Sequence, residues 1–136
     1  MVSYVGGCLC KTLRYKVEEE PLDAGYCHCR RCQQSAGAPV LAWATFPIKT
    51  FTYLRGKPSV YLSSAQYQRE FCGVCGTQVA FRKIENAITV DITMVSLDTP
   101  AILKPKYHIW TQSQISWFDT VDQLPRHQNT DPDTWW

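Results

Sequence analysis

Cys27-His28-Cys29-Arg30-Arg31-Cys32 places three cysteines within six residues, and the reading of this stretch organises the rest of the chain. In an extended segment successive side chains alternate, so Cys27 and Cys29 face one way and His28 the other. Two residues between Cys29 and Cys32 give the reach of a metal knuckle, a tight turn that sets both sulfurs about 2.3 Å from one zinc. No fourth cysteine lies nearby. Three protein ligands with an open fourth position are the pattern of a reactive zinc rather than a purely structural one.

A lone C-x-C-x-x-C also suits a redox pair with a spare thiol, so the remaining four cysteines decide between the readings. Cys8 and Cys10 form a C-x-C. Cys72 and Cys75 form a C-x-x-C with Gly73 inside it and Gly76 directly after, and glycine permits the left-handed turns that such a knuckle needs. Two chelating pairs separated by about half the chain make a closed four-sulfur site of the structural kind. Seven cysteines fit a disulfide framework poorly, because one thiol stays unpaired. Four plus three leaves nothing over and gives an expectation of two zincs per chain.

The cysteines sit in a longer pattern. Gly7-Cys8-Leu9-Cys10 is followed by Leu13-Arg14-Tyr15, by Cys27-His28-Cys29-x-x-Cys32 with Gly37-Ala38, and by Arg69-x-Phe71-Cys72-x-x-Cys75-Gly76-Thr77. The pattern continues through Ser96-Leu97-Asp98, Pro105-x-x-His108-Ile109 and Trp117 to Leu124-Pro125. It resembles the glutathione-dependent formaldehyde-activating enzyme family, which includes the centromere protein V domain. Lys11 departs from it: glycine is expected after the first cysteine pair, and lysine there alters the local turn without removing a ligand. The resemblance implies one structural zinc, a second zinc near the substrate, and carbon-sulfur bond chemistry on a glutathione adduct.

Composition bounds these readings. A chain of 136 residues is most simply one domain, able to bury about two-thirds of its unfolded surface. Its hydrophobic fraction of 45% and charged fraction of 19% belong to a globular protein rather than a disordered one. A net charge of +2 gives no electrostatic footprint for nucleic acid and weakens a chromatin role. Met1 to Gly7 lacks the charged segment and apolar run of a signal peptide, and no apolar run reaches membrane-spanning length. A cytoplasmic location is expected, where reducing conditions keep thiols available for metal.

Taken in order, the chain reads as short strands with turns between them. Leu13, Tyr15 and Val17 alternate with Arg14 and Lys16, and Glu18-Glu19-Glu20-Pro21 closes that strand as a solvated turn. Gln33 to Pro39 suits a tight turn or a single helical turn, and Val40 to Phe46 suits a strand buried on both sides. Phe51 to Leu54 and Ser59 to Leu62 flank Arg55-Gly56-Lys57-Pro58, the signal of a hairpin. Tyr67 to Phe71 leads into the Cys72 knuckle and Val79 to Arg82 leaves it. Ile88, Val90, Ile92 and Met94 alternate with Thr89, Asp91 and Thr93, the clearest half-buried strand of the sequence. Tyr107 to Trp110 forms another strand after Pro105. The architecture is therefore mainly β and antiparallel with little helix, and the resemblance implies a zinc-stapled pair of twisted sheets packed as a sandwich.

Other side chains are candidates with competing readings. His108 either lines the substrate site or packs in a half-buried strand. Arg30 and Arg31, inside the metal loop, are the candidate glutathione contacts through the guanidinium fork, or project outward as exposed loop arginines. Trp135 and Trp136 form an interface patch or a frayed end.

Three cysteinates against Zn²⁺ leave a net charge of −1, so such a site acidifies water less than a three-histidine zinc and favours a thiolate as fourth ligand. Glutathione supplies that thiol. Its electron-rich sulfur attacks a carbonyl carbon such as that of formaldehyde to give S-hydroxymethylglutathione, and the reverse reaction cleaves the C–S bond. The rival reading is a non-catalytic, zinc-stabilised module that binds glutathione or a protein partner. Another small aldehyde or thiol fits the same chemistry.

Overall fold

Alternation of apolar and polar residues between Ile88 and Met94 is the central device of the fold. In the computed structural model, which describes residues 2–130, β9 (Thr89–Thr93) buries Val90 and Ile92 completely and turns Thr89 and Asp91 to the opposite face. Its neighbour β4 (Leu41–Pro47) sets Ala44 opposite Ile92 and Phe46 opposite Val90. β3 (Asp23–Cys27) then sets Ala24 opposite Ala44, and β8 (Gln78–Lys83) sets Ala80 opposite Ile92. The row Ala24, Ala44, Ile92, Ala80 is mostly small, which leaves room for the larger Tyr4, Tyr15 and Val17 of the facing sheet in the same core.

With β7 (Tyr67–Phe71), β6 (Ser59–Leu62) and β10 (His108–Ile109), these strands make a seven-stranded sheet of order β10-β3-β4-β9-β8-β7-β6. A three-stranded sheet, β1-β2-β5, is built from β1 (Tyr4–Gly7), β2 (Arg14–Val17) and β5 (Phe51–Arg55). Their inner faces share one core, with the Tyr4 and Phe46 rings 6.1 Å apart between the sheets. The expected β sandwich is present. The only α-helix among the described residues is α1 (Arg30–Ala36).

Three local expectations need correction. The Arg55-Gly56-Lys57-Pro58 connection closes no hairpin: β5 pairs with β2 in the small sheet, while β6 pairs with β7 at the edge of the large one. Aromatic packing decides this, since Phe51 lies opposite Val17 with its ring 5.6 Å from that of Tyr15. The turn residues thus serve a corner where the chain changes sheet. The sheets are not wholly antiparallel, because β10 runs parallel to β3. Finally, the helical turn starts at Arg30, inside the cysteine stretch, rather than at Gln33. It ends at Gly37, whose φ of 62° is the left-handed conformation of a helix C-cap. No helix among the described residues is long and apolar enough to cross a membrane. Trp135 and Trp136 lie outside the described residues.

Candidate functional site

The loop after β1 brings Cys8 and Cys10 to the β7–β8 turn, where Cys72 and Cys75 wait, and the four sulfurs lie within 4.8 Å of one another. Cys8 to Cys10 and Cys10 to Cys72 are each 3.7 Å apart. That spacing fits the edge of a tetrahedral sulfur cage, about 3.8 Å for Zn–S bonds of about 2.3 Å. Backbone donors face the sulfurs: Leu13 N–H reaches Cys8 Sγ at 3.2 Å, and the Val74 and Cys75 N–H groups reach Cys72 Sγ at 3.4 Å. Such bonds favour thiolates. Gly76 closes the turn at φ 83°, its N–H bonded to Cys72 O at 2.8 Å. Thr77 Oγ1 accepts from Leu9 N–H at 3.1 Å and lies 3.3 Å from Cys75 Sγ, tying the two ligand segments together. Hydrogen bonding to Thr77 is also the first cause of the lowered Cys75 thiol pKa.

The second cluster has a different construction. Cys27 ends β3, Cys29 is the N-cap of α1 and Cys32 lies in its first turn, so a helix start replaces the expected knuckle. The three sulfurs also lie within 4.8 Å of one another, with Cys27 and Cys32 at 3.4 Å. Cys32 N–H donates to Cys29 Sγ at 3.3 Å. Crowding splits the thiols: hydrogen bonds from Cys27 and Cys32 hold Cys29 well below the ordinary thiol range, and bonding to Cys29 pushes Cys27 up. Three thiolates this close need a cation among them, which is the donor set and charge that zinc fits. No fourth His, Cys, Asp or Glu joins the group among the described residues.

His28 points away from the sulfurs, as strand alternation requires. It is fully buried, with Nε2 2.8 Å from His108 Nδ1, and His108 Nε2 in turn lies 3.1 Å from Asp122 Oδ2. His28 Nδ1 has no partner. Burial and the neighbouring His108 bring the His28 pKa down to about 4. Both histidines thus pack behind the cysteine stretch, and His108 lies in the interior.

A cavity of about 1030 Å³ opens beside the three-cysteine cluster, with Cys27, Cys29 and Cys32 in its wall and none of the other four cysteines. Its floor is the face of the large sheet that turns away from the core. Strand register places Gly25 beside Trp43, and in the next row Asp23, Thr45, Asp91, Phe81 and Arg69 side by side. Arg30 and Arg31 are exposed at the rim; Arg30 bonds to Gln33 Oε1 at 2.9 Å. Both occupy the helix N-terminus, where the peptide dipoles disfavour cations.

Residues 3–113 match the family model of the glutathione-dependent formaldehyde-activating enzyme. The chain belongs to this family. A curated relative, an uncharacterized lyase of Schizosaccharomyces pombe (strain 972 / ATCC 24843), is 34% identical over 89 residues, or 60% of this chain and 58% of that protein. The match therefore spans less than two-thirds of the relative's length. A crystal structure of a Rhodobacter sphaeroides protein superposes with a TM-score of 0.58 at 22% identity, covering 69% of this chain and 87% of that one, which shows a shared fold.

Within this member of the formaldehyde-activating enzyme family, the most informative unforeseen residue is Arg69. It is nearly buried on β7, donating to Ser35 Oγ at 3.2 Å and Gln78 Oε1 at 2.9 Å. Its second terminal nitrogen lies 4.0 Å from Cys32 Sγ, and its guanidinium lies over the Phe81 ring at 4.8 Å. The signal was a charge in phase with Tyr67 and Phe71, a position that an ordinary half-buried strand reserves for apolar side chains. Asp91 carried the opposite disguise, since polar alternation reads as solvent exposure when the polar face lines a cavity, and Thr45 was hidden in the apolar run Val40 to Phe46.

Proposed function

We propose that this protein is a zinc-dependent carbon-sulfur lyase that forms or cleaves the adduct of glutathione with a small aldehyde, S-hydroxymethylglutathione or a close relative. The observation that carries the reading is the contrast between the clusters: all three cysteines of one group share the wall of a cavity of about 1030 Å³, whereas of the four-cysteine group only Cys8 borders a cavity, a smaller one of about 480 Å³. Cys27, Cys29 and Cys32 would hold the reactive zinc, and Cys8, Cys10, Cys72 and Cys75 the structural one. A zinc bound by three thiolates supplies a soft Lewis acid that keeps an incoming thiol deprotonated near neutral pH.

The chain's own residues bind and orient. Arg30 and Arg31 face carboxylates of the ligand through their guanidinium forks. Trp43 and Phe81 give the cavity an apolar wall that excludes water around the reacting carbon. Arg69 offsets the negative charge that three cysteinates accumulate. In the forward direction the C–S bond forms as the carbonyl π bond opens, and the proton lost by the thiol ends on the former carbonyl oxygen. Cleavage reverses each change. Seven unpaired cysteines favour a reducing, cytoplasmic setting for this chemistry.

Exchange of formaldehyde with S-hydroxymethylglutathione, followed by NMR, tests the reading in wild type and Cys29→Ser at equal concentration. We expect exchange above the spontaneous background, lost in the variant while its fold and four-cysteine zinc persist. Glutathione binding without excess exchange would make the protein a binding module. Neither binding nor exchange would exclude this substrate.

A further inference from the structure

One carboxylate on the cavity floor is left unused by this chemistry. Asp91 lies between Thr45 on β4 and Phe81 on β8, and the same row reaches Arg69 on β7. Because Arg69 covers Phe81 and extends to Cys32, a single aromatic side chain separates Asp91 from the guanidinium beside the thiols. Asp91 is half-buried, and Thr45 Oγ1 donates to its Oδ1 at 2.6 Å. Among the described residues no arginine, lysine or histidine pairs with it.

A carboxylate in the same row makes matters worse for the anion. Asp23 is a second carboxylate, already satisfied by the Tyr107 hydroxyl at 2.6 Å and by Ala24 N–H at 2.9 Å. Burial, with Asp23 adding repulsion, pushes the Asp91 carboxyl up to about 6. Glu70, a fully buried carboxylate of this sheet, shows the usual solution: it meets Arg82, the Tyr53 hydroxyl and the Gln68 amide. A carboxylate oriented by a hydroxyl, facing a large cavity and lacking a counter-charge is complementary to a cation that arrives with the ligand.

We propose that Asp91, oriented by Thr45, is the subsite for the ammonium group of the thiol substrate, so that the cavity selects amino-acid-like thiols over simple ones. This rests on the thiol-binding reading of the same cavity. Glutathione has the required chemistry: its γ-glutamyl end carries a free α-ammonium, and it presents carboxylates to Arg30 and Arg31. A charge-assisted hydrogen bond of this kind changes affinity by about 10- to 100-fold.

Isothermal titration calorimetry of the zinc-loaded protein with S-methylglutathione and its N-acetyl derivative tests the subsite, because neither probe can react. N-acetylation removes the cation. In wild type it should weaken binding by about 10- to 100-fold, whereas Asp91→Asn should bind the two probes alike. Thr45→Val should reduce the acetylation penalty, and it carries the test if Asp91→Asn does not fold. No binding of S-methylglutathione to wild type, or an equal penalty in wild type and variants, overturns the subsite. An acetylation penalty without formaldehyde exchange would sink the lyase reading and leave the subsite standing; exchange with equal penalties would do the reverse.

Discussion

Lys11 shows how a single residue records a family constraint. It adopts φ 70°, the left-handed region, and its N–H closes a turn to Cys8 O at 3.2 Å. The turn that carries the first ligand pair therefore keeps a glycine conformation with a lysine in it, at a cost of about 1 kcal/mol. Lys11→Gly should raise stability by about 1 kcal/mol in chemical denaturation, and a loss of stability would contradict the strain. The departure itself was legible in the sequence. His28 offers a second residue-scale test: its pKa near 4 in the fold lies below the ordinary 6.5, so the unfolded chain binds the extra proton. Stability from this group is complete above pH 6.5 and falls as pH drops toward 4, by about 2 kcal/mol between pH 7 and pH 5. His28→Asn should have a shallower fall over that range. Zinc loss at low pH acts on both proteins, so an identical pH dependence would remove His28 from the account.

Among the elements, strands were readable where period-two alternation met β-branched residues, as in β9, and where they bracket a cysteine turn, as in β7 and β8. The start of α1 was not. Its N-cap is a cysteine in place of the usual serine, threonine or aspartate, and no acidic residue occupies its first turn. The Cys29 sulfur takes the place of the usual oxygen and accepts from Cys32 N–H at 3.3 Å. Ligand spacing in the chain also separates the two clusters energetically. Cys8 and Cys10 lie beside Cys72 and Cys75 across more than sixty residues of chain, so a zinc held there would act as a long-range cross-link whose binding energy is folding energy. The other cluster spans six residues. Cys72→Ser should lower the thermal midpoint sharply or give insoluble protein, while Cys29→Ser should lower it mildly. Equal losses would erase the distinction between a structural and a reactive centre.

For the whole molecule, the sandwich and both cysteine groupings followed from sequence, but the cavity did not. Its floor depends on register across β3, β4, β9, β8 and β7, and no local pattern shows that Asp91 lies beside Phe81 or that Arg69 reaches Cys32. The sheet change at Gly56 was hidden for the same reason, since its cause is the meeting of Phe51 with the distant Tyr15. The central claim is that two sulfur centres coexist and that only the one facing the cavity accepts a thiol. Replacing zinc with cadmium-113 and recording its NMR spectrum during glutathione addition tests this directly. The account predicts two cadmium resonances, of which one, lost in Cys29→Ser, moves with glutathione while the other stays fixed. A single resonance, or two that move together or not at all, would contradict it.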